Sequence, residues 1–145
     1  MMGKKRILVS ACLLGLPCRY DGRNKADSKL LALAKKEDYL LIPFCPECYG
    51  GLPIPRSPSE RKDGRVISAA GEDVSAQYHR GAESALALCR ILDCKTAILK
   101  ARSPSCGSGQ IYDGSFTKTL IPGDGVTAQL LKENGIIVLT EDELT

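Results

Sequence analysis

Four short apolar runs divide the chain, and each has the length of a buried β-strand rather than of a helix. The segments between them are rich in glycine, proline and charged residues, which are typical of loops. The second run shows no alternation of apolar and polar residues, as expected for a strand covered on both faces. The predicted strands are 5–10, 39–44, 94–101 and 136–139.

Helical periodicity occurs between each pair of successive strands. The longest predicted helix covers 73–92, where apolar residues follow one another at spacings of four and three. A shorter helix is predicted over about 29–36, with Ser28 as its N-cap, and another over 125–133, with Asp124 as its N-cap. The apolar face of the long helix consists of Tyr78, Ala82, Ala85, Cys89 and Leu92.

Strands that alternate with helices predict βαβ units and hence a parallel sheet. We therefore expect an α/β fold with a mainly parallel, Rossmann-like sheet flanked by helices. The 145 residues suit a single domain over 1–145 with a hydrophobic core of its own. In such folds, ligands bind at the edge formed by the carboxyl ends of the strands.

Composition and charge argue against several classes of partner. Lys and Arg outnumber Asp and Glu by only 20 to 17, Trp is absent, and there are 5 Tyr and 2 Phe. We therefore expect no nucleic-acid partner, because such proteins need a basic surface or aromatic stacking groups. No apolar run approaches the ~20 residues that a membrane span requires. The short apolar run near the N-terminus does not fit a signal peptide, so a cytoplasmic protein is expected.

Three of the seven cysteines follow the ends of different predicted strands. Cys12, Cys45 and Cys106 come one to five residues after those ends, and parallel strands bring them to one edge of the sheet. An odd number of cysteines in a reducing compartment argues against a disulfide framework. Cys89, on the apolar face of a helix, and Cys94, at the opposite edge of the sheet, are assigned to the core.

Three thiolates at one edge suit a soft metal, and iron–sulfur clusters favour thiolate ligands, normally four. A cluster with three protein ligands leaves one iron open, which can bind a substrate atom as a Lewis acid. Glu47 lies two residues from Cys45, and Ser103 lies three residues from Cys106. Both are candidates for proton transfer at the open iron, with a solvated carboxylate and a turn-forming hydroxyl as the plain alternatives.

The pair formed by Cys45 and Cys48, with two residues between them, has two other interpretations. In thioredoxin-like sites such a pair opens a helix, whose N-terminus lowers the pKa of the thiol. The glycines and prolines after Cys48 cannot continue a helix, which argues against a thioredoxin-like site. A structural zinc on this pair and two further ligands stays open, although Cys12 and Cys18 are too far apart for the usual second pair.

Five motifs follow one another over nearly the whole chain. They are Ser10-Ala11-Cys12-Leu13-Leu14-Gly15, Arg19-Tyr20-Asp21-Gly22, Cys45-Pro46-Glu47 with Gly50-Gly51-Leu52 and Pro55-Arg56, Ser103-Pro104-Ser105-Cys106-Gly107, and Pro122-Gly123-Asp124-Gly125-Val126-Thr127. Together they resemble the thiouracil desulfidase family, a small bacterial domain formerly of unknown function.

The resemblance implies a 4Fe-4S cluster held by Cys12, Cys45 and Cys106, with one open iron and no net redox change. It implies that the open iron takes the sulfur of a thiolated pyrimidine, that water replaces this sulfur at the carbon, and that hydrogen sulfide leaves. Glu47 and Ser103 fall where the family places its proton-handling residues.

Arg56 lies near these motifs and is expected to bind an anionic form of the substrate. We therefore expect an enzyme that removes sulfur from a small thiolated pyrimidine such as thiouracil, or from a related thio-compound. One alternative is sulfur transfer or desulfuration on a thiolated nucleotide or RNA. Another is a non-enzymatic structural-zinc or interaction domain.

Overall fold

The structure, a computed structural model, describes residues 3–144 and is built around a four-stranded parallel sheet. The strands are β1 (Lys5–Ser10), β2 (Tyr39–Phe44), β3 (Ser59–Lys62), β4 (Arg65–Ser68), β5 (Thr96–Leu99), β6 (Gln110–Tyr112), β7 (Leu120–Pro122) and β8 (Ile137–Thr140). The helices are α1 (Ser28–Ala34), α2 (Pro46–Tyr49), α3 (Ser75–Ile91) and α4 (Val126–Glu133), and short 3-10 helices cover Ala11–Leu14 and Glu141–Glu143.

The strand order in the sheet is β2-β1-β5-β8, and every neighbouring pair is parallel. This order confirms the predicted α/β fold with a parallel sheet, and all four predicted strands belong to it. Ser10 pairs with Phe44, and Leu99 pairs with Thr140. The carboxyl ends of the four strands therefore meet at one edge. The other strands form two antiparallel hairpins outside the sheet, β3-β4 and β6-β7.

Helices cover both faces of the sheet. Because side chains alternate along a strand, Ile7 and Val9 of β1 pack towards α1, whereas Leu8 packs towards α3 and α4. The cluster around Leu8 also contains the two cysteines assigned to the core, Cys89 and Cys94. Ala85 and Cys89 of the predicted apolar stripe of α3 thus pack against the sheet, whereas Tyr78 and Ala82 pack with Val66 of β4 and Val126 of α4.

Helix α1 begins one residue earlier than predicted, and its N-cap is Asp27 rather than Ser28. The Asp27 carboxylate accepts hydrogen bonds from the backbone N–H groups of Lys29 and Leu30, at 2.9 and 3.1 Å. It satisfies two of the N–H groups that the first turn leaves free. Within residues 3–144, no helix has both the length and the apolar character that crossing a membrane requires.

Helices α2 and α3 approach so closely that glycine is needed at their contact. A Cβ atom on Gly81 would overlap the carbonyl oxygen of Pro46, and one on Gly50 would overlap a backbone carbonyl of α3. The sequence did not predict α2, because a single helical turn is too short to show periodicity. The close contact holds Glu47 of α2 against the side chain of Tyr78 of α3.

Substitution of Gly81 by Ala is expected to destabilise the protein by roughly 1–3 kcal/mol, because the added methyl group forces α2 and α3 apart. Alanine in place of glycine within a helix by itself stabilises by up to about 1 kcal/mol, so a net loss can be assigned to packing. Urea denaturation followed by circular dichroism measures the free energy of unfolding. The control is Gly3→Ala, where an added Cβ meets nothing within 4 Å. A Gly81→Ala protein as stable as this control would contradict the expectation.

Candidate functional site

A cavity of about 490 Å³ opens at the edge where the carboxyl ends of the strands meet. Its wall combines four thiols with carboxylate, hydroxyl and guanidinium groups. The three cysteines predicted to meet at this edge all line the cavity, and so do the other predicted site residues. The lining residues with candidate chemistry are Cys12, Cys18, Cys45, Cys106, Glu47, Ser103 and Arg56.

Pairing of β1 with β2 brings Cys12 and Cys45 to the cavity. The two strands end in register, so Cys45, which follows β2, lies near the 3-10 helix that follows β1 and contains Cys12. The carbonyl oxygen of Cys12 accepts hydrogen bonds from the N–H groups of Gly15 (3.2 Å) and Lys25 (2.9 Å). These bonds hold the backbone that carries the Cys12 thiol.

Cys106 lies in a loop that also supplies the N-terminal cap of α4. The N–H group of Val126 donates to the carbonyl oxygen of Pro104 at 2.9 Å, and that of Thr127 donates to Ser105 at 2.8 Å. Carbonyl groups of the loop thus satisfy N–H groups that the first turn of a helix leaves free. The backbone position of Cys106 is therefore coupled to the start of α4.

Asp124 is not the N-cap of α4 that the sequence predicted. The N-cap is Gly125, where a Cβ atom would overlap the backbone of Ser105. The Asp124 carboxylate instead accepts a hydrogen bond from the N–H group of Gly109 (2.9 Å) and pairs with Lys132 (2.9 Å). The Asp124 carboxylate thus stabilises the C-terminal end of the loop that carries Cys106.

The Ser103 hydroxyl is held by two backbone groups of its own loop. Its oxygen accepts hydrogen bonds from the N–H groups of Ser105 (3.1 Å) and Cys106 (3.0 Å). A hydroxyl has two acceptor lone pairs and one donor proton, so both lone pairs of Ser103 are used within the loop. The side chain shapes the turn and keeps its proton for a partner in the cavity.

The Glu47 carboxylate is held through one of its two oxygens. Oε1 accepts a hydrogen bond from the Tyr78 hydroxyl at 2.8 Å and another from Arg56 Nε at 3.2 Å. Both donors contact the same oxygen, so Oε2 is the oxygen left for a partner in the cavity. Two bonds to a single oxygen also fix the plane of the carboxylate, which orients Oε2.

Tyr78 is a site residue that the sequence analysis missed, because its position on the apolar stripe of α3 assigned it to the core. It is only 1% exposed. Burial, followed by the neighbouring Glu47 carboxylate, raises the pKa of Tyr78 well above its usual range. The hydroxyl therefore stays protonated and always donates to Glu47. One signal was available in the sequence, because a buried tyrosine hydroxyl needs a hydrogen-bond partner.

The guanidinium group of Arg56 is engaged by the protein itself. Its side chain is 6% exposed, and besides Glu47 it donates to the carbonyl oxygens of Cys18 (2.9 Å) and Pro53 (3.2 Å). It therefore links the loop that carries Cys18 to the Glu47 carboxylate. Its role in substrate binding stays a prediction.

The surroundings of two candidate ligand thiols raise their pKa values and so favour the protonated forms. Burial raises the pKa of Cys106 to about 12. A hydrogen bond with Cys18, followed by burial, raises the pKa of Cys45 well above its usual range. Because the thiolate is the form that binds a metal, a metal that binds here displaces these protons, and its affinity falls as the pH falls.

Two alternative interpretations of the cysteines find no support in the geometry. Among residues 3–144, no three His, Cys, Asp or Glu side chains converge on a single metal-ion position, so this part of the chain offers no structural-zinc site. The cysteines of a polynuclear cluster each bind a different metal atom, so their sulfurs are spread more widely. Cys48 lies in α2, which ends after four residues, and a thioredoxin-like pair opens a longer helix.

Comparisons with known proteins agree with the fold and with the motifs. A sequence model of the 2-thiouracil desulfurase family matches residues 7–143. An uncharacterized protein of Bacillus subtilis (strain 168), YbbK, is 42% identical over 148 residues, which cover 95% of this chain and 97% of YbbK.

A solved structure, that of the 4Fe-4S-dependent thiouracil desulfidase TudS, matches with a TM-score of 0.91 and 48% sequence identity. The match covers 97% of this chain and 93% of the TudS chain. It confirms the predicted fold class. Since the family model spans nearly all of the sequence, the chain belongs to the 2-thiouracil desulfurase family.

Proposed function

We propose that this protein is an iron–sulfur-dependent, non-redox desulfidase that removes sulfur, as hydrogen sulfide, from a thiolated pyrimidine such as thiouracil. One observation carries the proposal: a single cavity wall combines three thiols from separate loops with an oriented carboxylate and a donor hydroxyl. Family membership and the likeness to TudS support the same activity. Neither match names a nucleotide, an RNA or a zinc, so we do not propose those alternatives.

The proposed cofactor is a 4Fe-4S cluster held by Cys12, Cys45 and Cys106, with one iron left open. The donor set fits this cofactor, because three buried or half-buried thiols line one cavity and thiolates are the ligands that such clusters prefer. When bound, the cluster would supply a Lewis acid that withdraws electrons from the thiocarbonyl carbon through its sulfur.

The proton transfers are assigned to Glu47 and Ser103. Oε2 of Glu47 accepts a proton from a water molecule as the water oxygen attacks the thiocarbonyl carbon. Ser103 donates its free proton to the ring nitrogen or to the departing sulfur. The carbon–oxygen bond forms and the carbon–sulfur bond breaks. Glu47 passes on the proton that it took from the water, and Ser103 regains a proton from the new hydroxyl group as the carbonyl forms, so the two protons of the water leave with the sulfur as hydrogen sulfide. No electron is gained or lost, so no redox partner is needed.

The cavity suits a small planar ring. Its volume of about 490 Å³ lies within the range of small-molecule pockets. Tyr20, Tyr112 and Phe116 contribute aromatic surface to its wall, and aromatic rings pack favourably in offset or edge-to-face arrangements. A pyrimidine can therefore be held by its faces while its thiocarbonyl group points to the thiols.

Sulfide release tests the proposed function. Protein reconstituted anaerobically with iron and sulfide is expected to convert thiouracil to uracil with a matching amount of hydrogen sulfide, without added oxidant or reductant. Protein that carries zinc but neither iron nor acid-labile sulfide after anaerobic purification would overturn the proposed cofactor. Fully loaded protein that releases no sulfide from any thiopyrimidine would overturn the proposed substrate class.

Tyr78→Phe is expected to lower kcat for sulfide release by roughly ten- to a hundredfold while KM and iron content stay close to wild type. The change removes one of the two hydrogen bonds that orient Glu47, and the phenyl ring preserves the packing. Steady-state kinetics with thiouracil separates kcat from KM. Tyr39→Phe removes a hydroxyl at the start of β2, outside the cavity wall, and serves as the control. A wild-type kcat for Tyr78→Phe would remove the positioning role.

A further inference from the structure

Cys18 is a fourth thiol in the cavity wall, and the proposed mechanism gives it no role. It lines the same cavity wall as two proposed ligands, Cys12 and Cys45, and a hydrogen bond with Cys12 contributes to raising the pKa of its thiol. The third proposed ligand, Cys106, has a different neighbour, since its sulfur lies 3.8 Å from the Ser105 hydroxyl. Cys18 is thus associated with two of the three ligands.

Hydrogen bonds hold the backbone of Cys18 beside this pair. Its carbonyl oxygen accepts a hydrogen bond from Arg56 Nη2 at 2.9 Å and lies 3.7 Å from the sulfur of Cys45. Its N–H group donates to the carbonyl oxygen of Leu16 at 2.9 Å. The Cys18 side chain is half-buried, so part of it stays accessible from the cavity.

We propose that Cys18 is a reserve iron ligand, which takes the place of Cys12 or Cys45 when either of them releases its iron. This inference rests on the proposed function, because it assumes the cluster. Cys18 lines the same wall as Cys12 and Cys45, and its carbonyl oxygen lies 3.7 Å from the Cys45 sulfur. Cys18 therefore presents a further thiol beside the ligand pair, in the wall that would face the cluster.

The exchange needs no oxidant or reductant. Replacement of Cys12 by Cys18 would exchange one iron–thiolate bond for another, and the proton of the Cys18 thiol would pass to the released Cys12 thiolate. The oxidation state of the iron does not change, and the same steps apply to Cys45. A reserve ligand of this kind slows the loss of a cluster that only three side chains hold.

Cys48 offers a matched control. Its sulfur lies 3.8 Å from the carbonyl oxygen of Cys18 and 3.9 Å from Arg56 Nη1, but it is not part of the cavity wall. Cys48 and Cys18 are both half-buried. Loss of Cys48 therefore removes a nearby thiol without removing the proposed reserve ligand.

The test compares Cys12→Ser, Cys12→Ser/Cys18→Ser and Cys12→Ser/Cys48→Ser after anaerobic reconstitution, with iron and acid-labile sulfide per chain as the readout. The first and third proteins are expected to keep most of the wild-type iron, and the second to hold at least about tenfold less. Circular dichroism shows whether each protein is folded. In the otherwise wild-type chain, Cys18→Ser is expected to lose iron to a chelator several-fold faster than Cys48→Ser.

Equal iron content in Cys12→Ser and Cys12→Ser/Cys18→Ser would overturn the reserve role. So would a Cys12→Ser/Cys48→Ser protein that loses as much iron as Cys12→Ser/Cys18→Ser. If the Cys12 variants unfold, the chelator comparison decides, because Cys18→Ser and Cys48→Ser keep all three proposed ligands. Equal rates of iron loss in that comparison would overturn the inference. Wild-type protein that binds no iron would overturn the proposed cofactor itself, so the two failures are distinguishable.

Discussion

Replacement of Cys106 by serine is expected to abolish cluster binding, with iron content at least about tenfold below wild type, and to stop sulfide release. A serine hydroxyl is a poor substitute for the thiolate that such clusters prefer. The hydrogen-bonding neighbours of the Cys106 sulfur are the hydroxyls of Ser10 and Ser105 rather than a thiol. The bonds between this loop and α4 keep the backbone from shifting to bring in another ligand.

Iron, acid-labile sulfide and visible absorbance of anaerobically purified protein measure this effect. Cys94→Ser is the matched control, because it makes the same change at an equally buried cysteine at the opposite edge of the sheet. This control is expected to keep its cluster. Full cluster absorbance in Cys106→Ser would remove Cys106 from the proposed ligands.

Glu47→Gln is expected to lower turnover by at least about 10²-fold while the cluster is retained. The amide has the same size, and its oxygen can still accept the hydrogen bonds from Tyr78 and Arg56. It cannot accept a proton from water at the position of Oε2. The loss therefore reports the proton transfer rather than the shape of the site, and it is measured as the rate of sulfide release per bound cluster.

Glu60 provides the comparison for Glu47 within the same cavity wall. Its carboxylate accepts hydrogen bonds from the N–H groups of Gly114 (2.9 Å) and Phe116 (3.1 Å). Glu60→Gln keeps an oxygen for these bonds, so we expect less than about a tenfold change in turnover. Unchanged sulfide release in Glu47→Gln would show that its carboxylate is a bystander.

The common position of Cys12, Cys45 and Cys106 could be predicted from the sequence, because it depends on few contacts. Apolar runs indicate where the strands end, and the intervening helices indicate that the strands are parallel. Together these two facts bring residues that follow the strands to one edge. No detailed knowledge of side-chain packing was needed.

The partners of Glu47 could not be predicted in this way. Tyr78 is 31 positions away in the chain, and it reaches Glu47 because Gly81 lets α2 and α3 approach closely. The predicted role of Arg56 in substrate binding stays a prediction, but its hydrogen bonds to Glu47 and to the carbonyl oxygens of Cys18 and Pro53 were not predicted. Such contacts depend on the tertiary structure, which a local pattern does not contain.

The two N-caps that were predicted wrongly have different causes. Asp27 and Ser28 are neighbouring residues that both suit an N-cap, so the pattern alone does not choose between them. Asp124 also suits an N-cap, but the carbonyl groups of Pro104 and Ser105 already satisfy the N–H groups of α4. A loop that precedes the β6-β7 hairpin in the chain thus replaces a local cap.

The loop that carries Cys106 also caps α4, and this double role constrains how relatives of the protein can diverge. An insertion or deletion between Ser103 and Gly107 would displace the sulfur of Cys106, a proposed ligand, and would also remove carbonyl groups that bond to the first turn of α4. Evolution and protein engineering alike therefore have more freedom in the part of the cavity wall where the β6-β7 hairpin and the segment that joins its strands contribute Tyr112, Phe116 and Lys118. New substrate preferences should arise there, while the length of the cysteine loop stays constant.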